Sequence, residues 1–254
     1  MFYFTLLGLT FALGGLIIGA TLLGVKPKPN GFLERIPGIL SRAVIRASGS
    51  RIVVHNSNRI DFAEAHVYVS NHVSWFDIFA LAGVLPRYRF VAKKELRRIP
   101  IFGAAAAAVA AIYIDRKNRK AAFEGYRDAA KQIEDGLSVV VFPEGTRGYD
   151  YSLRPFKKGP FVLAIAAQVP VVPCVVFGTR EIQGKGDILV RPGVAEITVL
   201  DAISTNGMTY EDRDSLARRV WEEMSVVLQN RYGVNSSFDR TPAESTVPAV
   251  EKVF

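Results

Sequence analysis

The sequence predicts an α/β fold, in which a mixed, largely parallel sheet is flanked by helices and preceded by an N-terminal hydrophobic membrane helix. Short apolar runs of strand length recur along the chain, and helical patterns alternate with several of them. That alternation is typical of parallel strands joined by helical crossovers. The N-terminal helix is indicated by the absence of charge between Phe2 and Gly24, a stretch long enough to span a bilayer.

The predicted elements follow one another in a regular order. The strand-like runs are 52–55, 66–70, 88–92, 111–114, 138–142, 171–177, 188–191 and 196–200. The helical patterns in the main domain are 74–85, 119–135, 159–168 and 209–232. Thr209 and Asp212 resemble a capping box at the start of the last helix.

The chain therefore divides into four segments. They are an N-terminal membrane segment (1–25), a basic interfacial helix or linker (26–50), the α/β domain (51–232) and a polar, loosely ordered tail (233–254). Residues 26–51 carry six basic side chains against one acidic one, and positive flanks stay in the cytoplasm. We expect a protein of the cytoplasmic membrane with its domain on the cytoplasmic face. A buried helix of a soluble protein is the alternative for the apolar segment.

Two further features bear on the membrane. Leu33, Ile36, Leu40 and Val44 share one helical face, which fits either a helix in the membrane interface or an amphipathic helix on the domain core. Residues 87–98 carry six basic side chains against one acidic one, a charge that suits anionic lipid headgroups.

Composition limits the classes of partner. The formal net charge of +8 indicates an anionic partner, but the basic residues are not interleaved with aromatics in any nucleic-acid-binding pattern. Cys174, the one cysteine, lies in an apolar run and is interpreted as a core residue. Neither it nor the three histidines has metal-ligand spacing, so we expect no nucleic acid and no metal.

A histidine and an aspartate stand directly after the second predicted strand. His72 precedes Asp77 by five residues, and on a regular helix their side chains would diverge by about 140°. They can meet only if His72 precedes the helix, where Asp77 could fix one imidazole nitrogen and leave the other as a base. The spacing alone also fits a capping or core histidine with an unrelated aspartate.

A second turn, Phe142–Arg147, is more specific. Gly145 permits a positive φ, Arg147 offers a guanidinium suited to phosphate, and Glu144 could hold substrate hydroxyls or orient Arg147. Lys94 and Arg116 each follow another predicted strand. Singly they fit solvated charge clusters, but together these cations could converge on one phosphate.

These residues resemble the ordered blocks of the bacterial 1-acyl-sn-glycerol-3-phosphate acyltransferase family. The four blocks are Asn71–Asp77, Ile114–Arg116, Phe142–Arg147 and Val169–Pro173. The resemblance extends through 91–96 and 155–159 and covers roughly residues 65–180. Two departures are Gly148, where Ser is usual, and Lys158, where a small polar residue is usual.

The resemblance implies transfer of a fatty-acyl group from a thioester to the sn-2 hydroxyl of lysophosphatidic acid, which yields phosphatidic acid. It implies that His72 is the base and Asp77 its partner, without a covalent intermediate, so that Ser74 serves local hydrogen bonding. The implied substrate-binding residues are Lys94, Arg116, Glu144, Gly145, Thr146 and Arg147. No cofactor is implied, and the acyl donor is acyl-coenzyme A or acyl carrier protein.

Other interpretations stay open on the sequence alone. The acceptor could instead be glycerol-3-phosphate, a lyso-ornithine lipid or a glycolipid, because the same base would serve. A non-catalytic membrane-surface scaffold on this fold is a weaker alternative. The alanine-rich segment 104–111 fits either close packing or the lining of a fatty-acyl channel.

Overall fold

The computed structural model describes residues 2–26, 31–61, 63–109, 111–114, 126, 129–131, 133 and 136–238. Its strands are β1 (Arg51–His55), β2 (Val67–Ser70), β3 (Tyr88–Lys93), β4 (Ala111–Ile114), β5 (Ser138–Val141), β6 (Val171–Phe177) and β7 (Val194–Val199). Within the described part of the chain they form one sheet in the order β1-β7-β6-β2-β5-β3-β4. All neighbours are parallel except β6 and β7, which confirms the predicted mixed, largely parallel sheet.

The described helices alternate with these strands. They are α1 (Phe2–Leu22), α2 (Phe32–Ala47), α3 (Phe76–Val84), α4 (Phe102–Val109), α5 (Gly159–Ala167), α6 (Thr179–Ile182) and α7 (Arg213–Tyr232). Short 3-10 helices occupy Ser57–Arg59, Lys94–Arg98 and Tyr210–Asp212. The predicted capping box is present, since the Thr209 hydroxyl and the Asp212 carboxylate satisfy each other's backbone N–H groups.

The two faces of the sheet are covered by different helices. Val67 and Val69 of β2 pack with residues of α5 and α7, whereas Tyr68 between them packs with residues of α3. Both faces of β2, β5 and β6 are therefore buried, as is usual for parallel strands. Cys174 lies wholly inside this core, as its apolar neighbours predicted.

The central strands decide where the site lies. β2 is parallel to both β5 and β6, with Val67 in register with Val139 and Val171. Parallel neighbours end at the same edge of a sheet, so the loops that follow β2, β5 and β6 converge there. These loops begin at Asn71, Phe142 and Gly178.

Two sequence predictions need correction or restriction. The predicted strand at 188–191 is wrong: this stretch is an irregular loop between α6 and β7. Its Arg191 N–H donates to the carbonyl of Ile182 at the end of α6 (2.9 Å) instead of joining a strand. Most of the predicted helix 119–135 lies outside the described residues, but residues 126, 129–131 and 133 are helical.

The first two helices pack on the domain. Phe2 stacks on Phe76 of α3 with ring centroids 5.7 Å apart, and Ile17 is buried with Ala105 of α4. In α2, the predicted apolar face is turned toward the protein, since Leu33, Ile36 and Val44 are buried.

One basic residue of the stretch 87–98, Arg89, is not available to a lipid headgroup. Arg89 is buried and pairs with Glu34 through two 2.6 Å bonds. This pair ties α2 to β3, and Arg89 also donates to the carbonyl of Val109 (2.6 Å). Its charge is therefore satisfied inside the protein.

Candidate active site at the carboxyl edge of the sheet

The turn after β2 is held by hydrogen bonds to β6. The carboxamide of Asn71 donates to the carbonyl of Val176 (2.9 Å) and accepts from its N–H (2.8 Å). These two hydrogen bonds continue the pairing of β2 with β6 beyond the end of β2, and they hold the backbone in place just before His72. His72 lies before α3, which begins at Phe76, and this is the position that a pair with Asp77 requires.

His72 and Asp77 form a hydrogen-bonded dyad. The Nδ1 atom of His72 lies 2.8 Å from Oδ2 of Asp77, and the same oxygen accepts from the N–H groups of Val73 (2.7 Å) and Ser74 (2.8 Å). The other oxygen, Oδ1, accepts from the hydroxyl of Thr179 (2.5 Å). Asp77 is completely buried, and four donors with the start of α3 compensate the burial of its charge.

The imidazole is held in one plane. The His72 ring stacks on the Phe142 ring, with centroids 4.0 Å apart and an interplanar angle of 15°. The His72 side chain remains 13% exposed. Because Nδ1 is engaged by Asp77, the Nε2 atom is the one that can exchange a proton with a ligand.

Glu144 has a different partner from the one the sequence suggested. Its Oε1 accepts from the backbone N–H of His72 (3.0 Å), and its Oε2 accepts from Nε of Arg154 (2.8 Å). Burial raises the pKa of Glu144, and the charge and hydrogen bonds of Arg154 oppose that rise. The carboxylate therefore links the two turns and pairs with Arg154, whereas the sequence had suggested Arg147 as the arginine that Glu144 orients.

Arg154 belongs to the candidate site although no sequence pattern indicated it. It also donates to the hydroxyl of Thr146 (3.0 Å) and to the Thr146 carbonyl. The available signal was weak, because a basic residue directly before the 155–159 block has no distinguishing pattern. Its role depends on the fold of the loop between β5 and α5.

The Phe142–Arg147 turn has the predicted backbone. Gly145 has φ +81, and its N–H donates to the carbonyl of Phe142 (3.0 Å). The N–H of Gly148 donates to the carbonyl of His72 (2.7 Å). A Cβ at Gly148 would approach the carbonyl oxygen of Asp150 to 3.0 Å, so glycine suits the place where the resembling family usually has Ser.

Two of the three cations predicted to bind phosphate, Arg147 and Lys94, lie among the described residues. The Arg147 guanidinium lies over the Trp75 ring, 5.0 Å from its centroid, and burial lowers its pKa while the Asp77 charge raises it. Lys94 is exposed just after β3, at the same edge of the sheet. Arg116 lies outside the described residues, so its convergence with the other two stays a prediction.

An apolar cavity of about 130 Å³ adjoins this polar edge. α1, α2, α3 and α4 contribute to its walls, together with β3 and β4; Trp75, Ile78, Ala105, Ala106 and Val109 are among its lining residues. Trp75 thus borders the cavity and also carries Arg147. Ala105 of the alanine-rich segment is packed against α1 and also lines the cavity, so close packing is present and the acyl-channel role stays a prediction.

Ser74 of the Asn71–Asp77 block and the two other histidines of the chain have structural partners. The hydroxyl of Ser74 donates to the carbonyl of Gln183 (2.6 Å) and accepts from the N–H of Phe76 (2.9 Å), which confirms its local role. His55 pairs with Glu196 (2.7 Å), and His66 contacts the carbonyl of Glu64 (3.0 Å).

A sequence profile of the family described as Acyltransferase matches residues 51–177, half of the 254 residues. The chain belongs to the acyltransferase family. The region shared with that family contains the His72–Asp77 dyad and the Phe142–Arg147 turn. Membership confirms the resemblance that the sequence blocks indicated.

Named relatives agree with this family. Human 1-acyl-sn-glycerol-3-phosphate acyltransferase alpha is 35% identical over 183 residues, 71% of this chain and 65% of that protein. The 1-acyl-sn-glycerol-3-phosphate acyltransferase of Limnanthes douglasii is 36% identical over 156 residues, 61% of this chain and 56% of that protein. The matched part of the acyltransferase chain spans less than two thirds of these relatives' length.

A solved acyltransferase structure has the same fold. The crystal structure of the 1-acyl-sn-glycerophosphate (LPA) acyltransferase PlsC from Thermotoga maritima superposes with a TM-score of 0.75. The superposition covers 92% of this chain and 95% of that one, at 23% identity. It confirms the α/β fold class.

Proposed function

We propose that this protein transfers a fatty-acyl group from a thioester to the sn-2 hydroxyl of 1-acyl-sn-glycerol-3-phosphate, producing phosphatidic acid. The observation that carries the proposal is the 2.8 Å contact between His72 and the buried Asp77, at a sheet edge shared with Arg147. His72 can act as the base for a substrate hydroxyl, and Arg147 can bind a phosphate on the same substrate. The names of the relatives support the choice of acceptor.

The dyad supplies the proton transfers. Nε2 of His72 takes the hydroxyl proton while the hydroxyl oxygen attacks the thioester carbonyl, and Asp77 stabilises the resulting imidazolium. When the carbon–sulfur bond breaks, the imidazolium returns the proton to the departing thiolate. The hydroxyl of Ser74 is bound between two backbone groups, which supports direct transfer without an acyl-serine.

Substrate binding divides between the polar edge and the cavity. Arg147, Lys94 and Arg116 bind the acceptor phosphate, while Glu144, Gly145 and Thr146 shape the acceptor site. A fatty-acyl chain enters the apolar cavity next to Trp75. The donor is acyl-coenzyme A or acyl carrier protein, and the reaction uses no cofactor.

The N-terminal helix holds the enzyme at its lipid substrates. α1 is long and apolar enough to enter a membrane, and among its described residues only Gly14 and Ile17 are buried. Its contacts with Phe76 and Ala105 keep it against the domain. The excess of basic residues after it supports a domain on the cytoplasmic face.

A donor-by-acceptor activity matrix tests this function. Purified protein is given acyl-coenzyme A or acyl carrier protein with lysophosphatidic acid, glycerol-3-phosphate, a lyso-ornithine lipid or a glycolipid. We expect the highest kcat/KM with lysophosphatidic acid, and mass spectrometry should place the new acyl group at sn-2. A higher kcat/KM with another acceptor would reassign the substrate while keeping the dyad chemistry.

A further inference from the structure

We infer that the loop joining α6 to β7, residues 183–193, is a second membrane-contact element that enters the lipid surface beside α1. The inference rests on the proposed membrane-associated function and adds a contact that lies far from α1 in sequence. Ile188 and Leu189 of this loop are 82% and 62% exposed. Two adjacent, exposed, large aliphatic side chains indicate a binding surface more strongly than a single one does.

The loop is physically joined to the start of α1. The side-chain amide of Gln183 donates to the hydroxyl of Tyr3 (2.9 Å), and that hydroxyl donates to the carbonyl of Ile188. Any surface that receives the first turn of α1 therefore also lies close to this loop.

The exposed apolar surface continues from the loop onto α1. Phe4, the residue after Tyr3, is 82% exposed. Leu7 and Phe11 are exposed as well, and their spacing from Phe4 places all three on one side of the helix. The loop and this side of α1 together form one apolar surface, which we call the α1–loop surface.

The loop also lies on the correct side of the sheet. Val190 and Ile182 pack in the same cluster as Phe76 of α3, whereas α7 packs on the opposite face. Ile188 and Leu189 are thus presented from the side of the molecule that carries α1.

Polar neighbours fit the headgroup level of a bilayer. The Lys185 ammonium lies 4.1 Å from the centroid of the Tyr149 ring, and Tyr149 is exposed. Tyr and Lys side chains next to an apolar surface are typical of the membrane–water interface. Lipid is therefore a better occupant of the α1–loop surface than a second protein.

Fluorescent probes attached at single cysteines test the inference on the full chain. Cys174 is completely buried, so an introduced cysteine can be labelled selectively. The probe positions are Ile188→Cys in the loop, Phe11→Cys on α1, and Val226→Cys on α7 as the control. Val226 is 53% exposed and lies on the helix that covers the opposite face. An environment-sensitive dye is read with phosphatidylcholine–phosphatidylglycerol vesicles, with and without brominated lipid.

We expect the probes at 188 and 11 to brighten on vesicles and to be quenched by brominated lipid, while the probe at 226 stays unchanged. Insertion at 11 with an unresponsive probe at 188 would overturn the loop assignment alone. If neither the probe at 188 nor the probe at 11 responds to vesicles, the proposed membrane association itself is contradicted. A probe at 188 that is shielded without lipid, in a protein that elutes as a dimer, would assign the surface to a second copy.

Affinity provides a second readout. We expect the double variant Ile188→Ser/Leu189→Ser to bind these vesicles at least about tenfold more weakly, because burial of even one such side chain is worth about that factor. Val226→Ser is the matched control and should bind normally. The double variant should keep its activity on a detergent-dispersed acceptor, which shows that it folds. Unchanged vesicle affinity would count against the loop.

Discussion

The hydroxyl of Thr179 donates to Oδ1 of Asp77 at 2.5 Å, on the carboxylate oxygen that His72 does not use. Thr179 is completely buried at the start of α6, directly after Gly178 turns the chain with φ +81. The dyad is therefore oriented from β2 on one side and from the end of β6 on the other.

Thr179→Val should lower kcat about tenfold with little change in either KM. The substitution keeps the shape but leaves a buried charged acceptor without one donor, which costs roughly 1.5–3 kcal/mol. Steady-state kinetics with both substrates measures this, and Thr179→Ser should restore the rate. Equal kcat for the Val and native proteins would show that three donors suffice to position Asp77.

His72→Ala should abolish acyl transfer while the far-ultraviolet circular dichroism spectrum stays native. General-base catalysis by a positioned imidazole typically contributes 10²–10⁴-fold, so the rate should fall by about that factor or more. His55→Ala is the control, because His55 pairs with Glu196 away from the site. A His72→Ala rate near that of the native enzyme would contradict the proposed mechanism.

Arg147→Ala should raise the KM for the phosphate-bearing acceptor by roughly 10- to 100-fold, since a hydrogen bond between charged groups is worth about 1.5–3 kcal/mol. The KM for the acyl donor should change little. Arg219→Ala on α7, which removes an exposed guanidinium paired with Glu223, serves as the matched control. If Arg147→Ala changes only the donor KM, the guanidinium binds the donor's phosphates instead.

Arg154→Leu should destabilise the protein in a pH-dependent way. The folded-state pKa of Glu144 is raised by burial and held down by Arg154, so loss of the guanidinium raises it further. A carboxyl with a raised folded-state pKa favours the fold most when it is protonated, below its unfolded pKa. This contribution is lost as pH rises through the folded-state pKa. The destabilisation by Arg154→Leu should therefore be small in acid and grow toward neutral pH.

Thermal unfolding of the native and Arg154→Leu proteins across this pH range measures the difference. Because Arg154 is about a third exposed, we expect a loss of roughly 1–3 kcal/mol at neutral pH, below the usual cost of breaking a buried pair. Arg154→Lys should recover part of it. A loss that does not vary with pH would separate Arg154 from the ionisation of Glu144.

The candidate site was partly predictable because its geometry is local. The five-residue spacing from His72 to Asp77 excludes a shared helix face, so a pair between them requires His72 to lie before α3. Gly145 likewise permits the positive φ that its turn adopts. The partner of Glu144 could not be predicted, because Arg154 reaches it across a loop whose path depends on α5. The strand prediction at 188–191 failed for a similar reason, since backbone pairing is decided by neighbours distant in sequence.

The sequence by itself determined the α/β class, the apolar first helix and the Phe142–Arg147 turn, and it named His72 and Asp77 as a candidate pair, because periodicity and residue chemistry act over a few positions. The tertiary structure decided which edges and side chains meet. It placed β2 between β5 and β6, and it buried Arg89 against Glu34. It also brought Thr179 to Asp77 and Tyr3 to the 183–193 loop. These contacts join residues 55 to more than 180 positions apart, and they form because the packed core holds those segments together.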